Sequence, residues 1–314
     1  MDLKERSVGC IVGAACGDAL GMPVEYVNRE TVSHEYGEIR DFVTPSKKHP
    51  CGHLHAGQYT DDTQQLMALA ESIVDANGFS LGAFSEKLKK WYLKNLEDKQ
   101  FKRFPGNTSL AACSNLLRGE NPLQSGSICA TTCGSVMRVA PIGVFYHRDI
   151  NKTNHYAQLS SIPTHNSQLA REGAAFIAEV VAYLMNGKDP HNAVTNALKN
   201  IKTEVLKSPL EYILKNPKTN SKAIKDKFGT SEHIAEVIPF SIFAFLKNAH
   251  SFEDVVIESV NGSIPGDTDS IACITGACAG AFHGYNSIPQ RFAEKLENRI
   301  YLIQLGESLA ERAK

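Results

Sequence analysis

The chain has 314 residues, 42% hydrophobic and 21% charged, with a formal net charge of -1. That length can bury a substantial core, and a near-neutral balance gives neither nucleic acid nor an anionic membrane a reason to be the main partner. The eight cysteines show no CxxC spacing, and Cys10, Cys16, Cys113, Cys273 and Cys278 lie in apolar, Ala/Gly-rich runs, so they read as buried thiols in a reducing, cytoplasmic setting.

The opening MDLKERSVGCIVGAACGDALG carries an uncharged run over residues 7–17 that is glycine-rich and ends at Asp18. It fits a cleavage box poorly, so it is expected to belong to the fold and not to a signal peptide. No segment is expected to supply the roughly 20 apolar residues of a bilayer span. Gly9, Gly13, Gly17 and Gly21 recur every fourth residue, which on a helix makes a bare ridge open to another backbone. Ala272, Gly276 and Gly280 form a second ridge, and the pair predicts two closely packed central helices. Asp18, inside the first ridge, is read as a helix-to-helix hydrogen-bonding group.

Further along, Leu66, Leu69, Ala70, Ile73 and Val74 share one helical face, as do Leu81, Phe84, Leu88 and Trp91. Residues 107–117 form a further candidate helix. Leu169, Gly173, Phe176, Ile177, Val180, Val181 and Leu184 make the cleanest stripe. Residues 191–201, 240–246, 269–283 and 290–305 complete the helical set. The lysine-rich residues 199–227, interrupted by Pro209, Pro217 and Asn220, read as a solvated surface excursion. Strand patterns are confined to residues 39–43 and 144–146. The expectation is an all-α, compact orthogonal helical bundle, a single domain over residues 1–314.

Two acidic clusters stand out: TDDT at residues 60–63 and GDTDS at residues 266–270. Each alone reads as a helix N-cap, since Asp and Thr cap well and the helix dipole favours negative charge there. Together they supply four carboxylates. If they converge, each close pair costs about 4 kcal/mol at 4 Å and an effective dielectric near 20. Half a helix charge does not offset several such terms, whereas a divalent cation does. Oxygen-only donors select a hard ion such as Mg²⁺, Mn²⁺ or Ca²⁺, and four carboxylates admit a two-metal site. The run HPCGHLH at residues 49–55 matches no zinc spacing and reads as a polar loop. Arg138 reads either as a phosphate ligand or as a buried structural cation.

The segments GDALGMPVE (17–25), YTDDT (59–63), GSVMRVAPIG (134–143), the Thr164–His165 pair and GDTDSIACITGACAGAFHG (266–284) resemble the ADP-ribosylglycohydrolase family, in the family's order and over most of the chain. The resemblance implies an all-α domain with a binuclear Mg²⁺ centre, Mn²⁺ being an admissible substitute, that removes ADP-ribose from modified proteins. Carried over by position, Thr60, Asp61, Asp62, Asp267, Asp269 and Ser270 would be metal ligands. Glu25 matches an acid/base carboxylate, with Asp61 and Asp267 as further catalytic carboxylates. Gly134, Ser135 and Met137 match a diphosphate- and ribose-holding loop; His165 and Asn107 would also contact substrate. The chain departs from the family in having Cys133 where Asn is common, a thinner glycine loop near PGNTS (105–109), and Ser270 where Thr is usual.

The implied activity is hydrolysis of ADP-ribosyl linkages, on arginine first, with an ADP-ribosylated protein as substrate and an ADP-ribosylating transferase or toxin as an admissible partner. Two rivals use the same scaffold. One is a two-metal phosphohydrolase acting on a nucleotide or nucleotide sugar; the other is a binding protein that masks a toxin.

Overall fold

Gly9, Gly13, Gly17 and Gly21 meet Gly280, Gly276, Ala272 and Thr268 in that order, so the two small-residue ridges run antiparallel with backbones in contact. A methyl carbon built on Gly17 falls 1.9 Å from the carbonyl oxygen of Ala272, and one on Gly280 falls 1.9 Å from that of Gly9. No side chain fits between these helices. That is why glycines occupy helix interiors despite a propensity cost of about 1 kcal/mol each.

This contact lies at the centre of the computed structural model, which describes residues 1–313. The chain opens with α1 (Leu3–Gly21), α2 (Arg29–Glu35), α3 (Asp61–Ala76), α4 (Leu81–Glu97) and α5 (Asn107–Leu117). It continues through α6 (Ala140–Phe145), α7 (Ile150–Ser161), α8 (Gln168–Met185), α9 (Pro190–Leu198), α10 (Glu204–Lys215) and α11 (Ser221–Phe228). The last five are α12 (Ile234–Lys247), α13 (Phe252–Ser263), α14 (Thr268–His283), α15 (Gln290–Lys295) and α16 (Arg299–Arg312). The fold is all-α and a single compact domain, with no strand among the described residues.

Five expectations need correction. Residues 39–43 are irregular, because Ile39 pairs with a side chain instead of a strand: Asn261 accepts from its N–H and donates to its C=O, both at 2.9 Å. Residues 144 and 145 close α6. The lysine-rich region is not a loose excursion but contains α10 and α11, whose Leu206, Leu210, Ile213 and Ile224 are buried. Residues 290–305 break into two helices around Asn298, which takes φ +54° and whose amide donates to Tyr59 Oη at 2.7 Å. Finally, Leu3–Val24 does have the length and hydropathy of a membrane span, yet its apolar stretch is buried inside the protein. It is the core helix of the bundle.

Because α1 and α14 are antiparallel, the C-terminal end of α1 lies beside the N-terminal end of α14. A single 3-10 turn, Met22–Val24, then delivers Glu25 next to the second acidic cluster. The first cluster arrives by a different route, through Asp18.

Candidate active site

Asp18 is fully buried in α1 and holds the start of α3 with both carboxylate oxygens. Thr60 donates to Oδ1 through its N–H at 2.9 Å and its hydroxyl at 3.0 Å. Thr63 donates to Oδ2 through its N–H at 3.0 Å and its hydroxyl at 2.6 Å. Burial pushes this carboxyl above its usual range while the four hydrogen bonds pull it back. The result is a two-oxygen clamp that fixes the α3 N-terminus against α1. Thr60 Oγ1 also accepts from the N–H of Asp62, so Thr60 is the N-cap of α3.

The two acidic helix ends converge on one cavity of about 510 Å³. Glu25, Asp61, Asp62, Asp267, Asp269 and Ser270 line it, and so do Asn107, Gly134, Met137 and His165. Carboxylate oxygens of Glu25, Asp267 and Asp269 lie within 4.8 Å of one another. Thr60 and Ser135 do not reach the wall with their side chains. Thr60 is occupied by capping, and the Ser135 hydroxyl accepts from Ser161 Oγ at 2.8 Å behind the loop.

Electrostatically the cavity is overloaded with negative charge. Burial, then the neighbouring Asp269, Asp267 and Asp62, raises Glu25 well above the usual carboxylate range. Asp62 and Asp269 are raised in the same way, by burial first and by facing carboxylates second. Burial lifts Asp61 to about 8, opposed by the amide of Gln65 donating to its Oδ2 at 2.6 Å. One oxygen each of Glu25, Asp62 and Asp269 is buried without any hydrogen-bond partner. Buried carboxylate oxygens are ordinarily satisfied. Three bare ones on a single cavity make a donor set that fits a hard divalent cation.

A further part of the wall is built on Gly134 and His165. A Cβ on Gly134 would lie 2.7 Å from the imidazole Cε1, so the ring demands glycine in this loop. Thr164 and Thr132 flank the ring nitrogens at 2.8 and 3.1 Å. Burial first, and Arg138 second, lower the imidazole to about 3, which keeps it neutral. Arg138 is itself fully buried and donates to Gln65 Oε1, Ser160 O and Thr164 Oγ1. It is therefore a structural cation connecting the Asp61–Gln65 pair to the His165 loop, not a phosphate ligand.

Comparison with known proteins matches the whole chain, residues 1–314, to the sequence profile of ADP-ribosylglycohydrolase. The chain belongs to the ADP-ribosylglycohydrolase family. It is 36% identical to an uncharacterised protein of Archaeoglobus fulgidus, over 98% of this chain and 97% of that one. It is 26% identical to the ADP-ribosylarginine hydrolase Tri1 of Serratia proteamaculans, over 97% of this chain and 79% of that one. It is also 23% identical to the ADP-ribosyl-[dinitrogen reductase] glycohydrolase of Rhodospirillum rubrum, over 95% and 92%. A solved structure described as an ADP-ribosylglycohydrolase-related protein complex superimposes with a TM-score of 0.80 at 22% identity, covering 99% of both chains. This family member is accordingly a hydrolase.

Several residues of this ADP-ribosylglycohydrolase cavity escape sequence reasoning. Tyr26, Phe104, Thr132 and Glu232 also line it, as does Cys133, which the sequence marks only as a departure from the family. Cys133 donates its thiol to Asp267 Oδ2 at 3.2 Å, and its backbone N–H bonds Glu232 O at 2.9 Å. His49, from the HPCG turn, steadies Glu25: its Nδ1 accepts from the Cys51 N–H at 3.1 Å, which leaves Nε2–H to donate to the Glu25 carbonyl at 3.2 Å. The available signal was adjacency, since His49 and Tyr26 flank residues already singled out. Glu232 carries none, being brought in by a contact between distant loops.

Proposed function

We propose that the protein is a Mg²⁺-dependent hydrolase that releases ADP-ribose from ADP-ribosylated arginine side chains of proteins, reversing mono-ADP-ribosylation. The observation that carries this reading is the trio of unpartnered buried carboxylate oxygens on Glu25, Asp62 and Asp269. The arginine linkage is taken from the relatives named as ADP-ribosylarginine hydrolases. Two ions, with Mn²⁺ as a substitute, would be held by Asp61, Asp62, Asp267, Asp269 and Ser270, with Thr60 orienting Asp61 and Asp62 from the helix cap. When bound, such ions orient ribose hydroxyls and acidify water.

The chain's own groups supply the rest. The N-terminus of α5, at Gly106–Asn107, lacks any side-chain cap and lines the cavity, so its free N–H groups suit the diphosphate. Gly134 offers backbone at the same wall, and neutral His165 adds a polar edge without adding charge. Glu25, raised in pKa and free on one oxygen, is placed to move a proton. Water adds to the anomeric carbon, the carbon–nitrogen bond breaks, and the guanidine nitrogen leaves protonated. The cytoplasm is proposed as the compartment, on the strength of eight unbridged cysteines. A transferase or toxin that installs the modification is the proposed second partner.

The test is to incubate Arg-, Ser- and Asp/Glu-linked ADP-ribosylated proteins with the enzyme and Mg²⁺, following both free ADP-ribose and phosphate. Release of ADP-ribose from the arginine-linked protein, blocked by chelation, is expected. Phosphate release would instead assign the site to a phosphohydrolase, and no release from any linkage would overturn the reading.

A further inference from the structure

A second cavity, also of about 510 Å³, adjoins the first and shares Glu25, Tyr26 and Phe104 with it as a common wall. Its remaining lining includes Asn28, Glu35, Tyr36 and Lys48. Two features of the shared wall are unusual. Tyr26 and Phe104 are 47% and 44% exposed, although both are large aromatics. Both also adopt left-handed backbone conformations, φ +53° and +57°, which bulky residues rarely take. Such strain persists only where surrounding contacts enforce it. For Tyr26 those contacts are explicit: its N–H donates to Gly266 O at 2.9 Å, its hydroxyl donates to the Glu232 carboxylate, and it accepts from the Glu232 N–H at 3.0 Å. The ring is therefore held at the boundary between the cavities with its face unburied.

We infer that this second cavity is the leaving-group side of the active site, receiving the guanidinium side chain and adjoining backbone of the modified protein. The inference rests on the hydrolase reading above and adds where the departing half of the substrate sits. The first cavity carries the groups suited to ADP-ribose: the uncapped α5 N-terminus, Gly134 and His165. Glu25 stands at the division, with one buried oxygen free. A bond cleaved beside Glu25 thus has its sugar on one side of the wall and its nitrogen on the other. The far side offers what a planar cation binds: aromatic faces at Tyr26, Tyr36 and Phe104, with carboxylates at Glu25 and Glu35 against the single cation Lys48. A neutral serine leaving group would use neither the ring faces nor the charge.

Full-length protein saturated with ADP-ribose is titrated with agmatine, a guanidinium probe, by calorimetry. In parallel, kcat/KM is measured on arginine-linked and serine-linked ADP-ribosyl peptides. The variants are Phe104→Ala, Phe104→Trp and Glu35→Gln, all at exposed positions. Agmatine should bind the wild type. Phe104→Ala and Glu35→Gln should weaken agmatine and lower kcat/KM on the arginine-linked peptide by roughly tenfold, with Phe104→Trp restoring the first, and Glu35→Gln, which lies outside the first cavity, should leave ADP-ribose affinity within about twofold. Absence of agmatine binding to the wild type, or equal losses for ADP-ribose and agmatine in Glu35→Gln, would overturn the assignment. If the wild type binds agmatine beside ADP-ribose yet hydrolyses no linkage, the hydrolase reading falls while the cavity assignment stands.

Discussion

At the N-terminus of α3 the capping oxygen is Thr60 Oγ1, whereas at α14 it is the carboxylate of Asp267, which accepts from the Ser270 N–H at 3.3 Å. The first arrangement brings in outside help. Asp18 from α1 binds Thr60 and Thr63, so neither Asp61 nor Asp62 is needed for the helix. In the second, one side chain both ends the helix and faces the cavity, and Asp269 alone is spared capping. Two acidic clusters that look alike in sequence therefore divide their work differently. Asp62 and Asp269 answer only to the cavity, Asp61 also holds the Gln65 amide, and Asp267 both caps its helix and faces the cavity.

The largest effect should come from a residue with no structural duty. Asp62→Ala is expected to lower kcat by about 10³-fold or more, the scale of several kcal/mol of lost charge stabilisation. The melting temperature of the chelated protein should rise, because a buried carboxylate repelled by four others is removed. A fall in that temperature would show that Asp62 supports α3 after all. Next is Asp18, which has only a structural duty. Asp18→Ala leaves two N–H groups and two hydroxyls of Thr60 and Thr63 without their acceptor. A loss of about 3 kcal/mol in urea denaturation is expected, with amide exchange accelerated first in α3.

How much of this could be read from the sequence depends on which physical signal was local. The glycine ridges were legible because a four-residue period on a helix has one geometric meaning, and their partner ridge had the same period. Convergence of the acidic clusters was legible by electrostatics, since capping alone does not require four carboxylates. The split of duties was not, because Thr60 and Asp267 differ only through contacts that Asp18 and Cys133 make from elsewhere. Ser135 illustrates another limit. Its loop lines the cavity, but its hydroxyl turns inward to Ser161, and sequence position alone does not say which side of a loop a side chain takes. Tyr26 owes its left-handed backbone to tertiary contacts, Phe104 shares that conformation, and no local residue preference announces either. In residues 199–227 the lysines masked an apolar spacing, Leu206, Leu210 and Ile213, that was itself present.

The clusters should behave as one in their response to pH. A carboxyl raised in the folded state keeps its proton where the unfolded chain has lost it. Its stabilisation is complete below the unfolded value near 4 and is lost as pH rises through the folded value, about 8 for Asp61. Neutral buried His165 works the other way, but only below its unfolded value of 6.5. Between pH 6.5 and 8 the carboxylates act alone, so the chelated protein should lose about 2–6 °C in melting temperature. Added Mg²⁺ should flatten that slope. A flat profile without metal would mean that the four carboxylates do not share one buried site.

The finest distinction lies at Asp267, where charge and cap can be separated. Asparagine caps a helix as well as aspartate does, while alanine does not. Asp267→Asn and Asp267→Ala should therefore lose activity alike, since both remove the carboxylate that faces Glu25 and Asp269. Their stabilities should differ by about 1 kcal/mol in favour of Asn, read from denaturant midpoints of the chelated proteins. At α3 the same pair of substitutions on Asp62 should show no such gap, because Thr60 retains the cap and the Asp62 carboxylate has a buried oxygen with no partner. Equal midpoints for the two Asp267 variants would mean that the Ser270 N–H finds another acceptor, and the two helix ends would then be built alike.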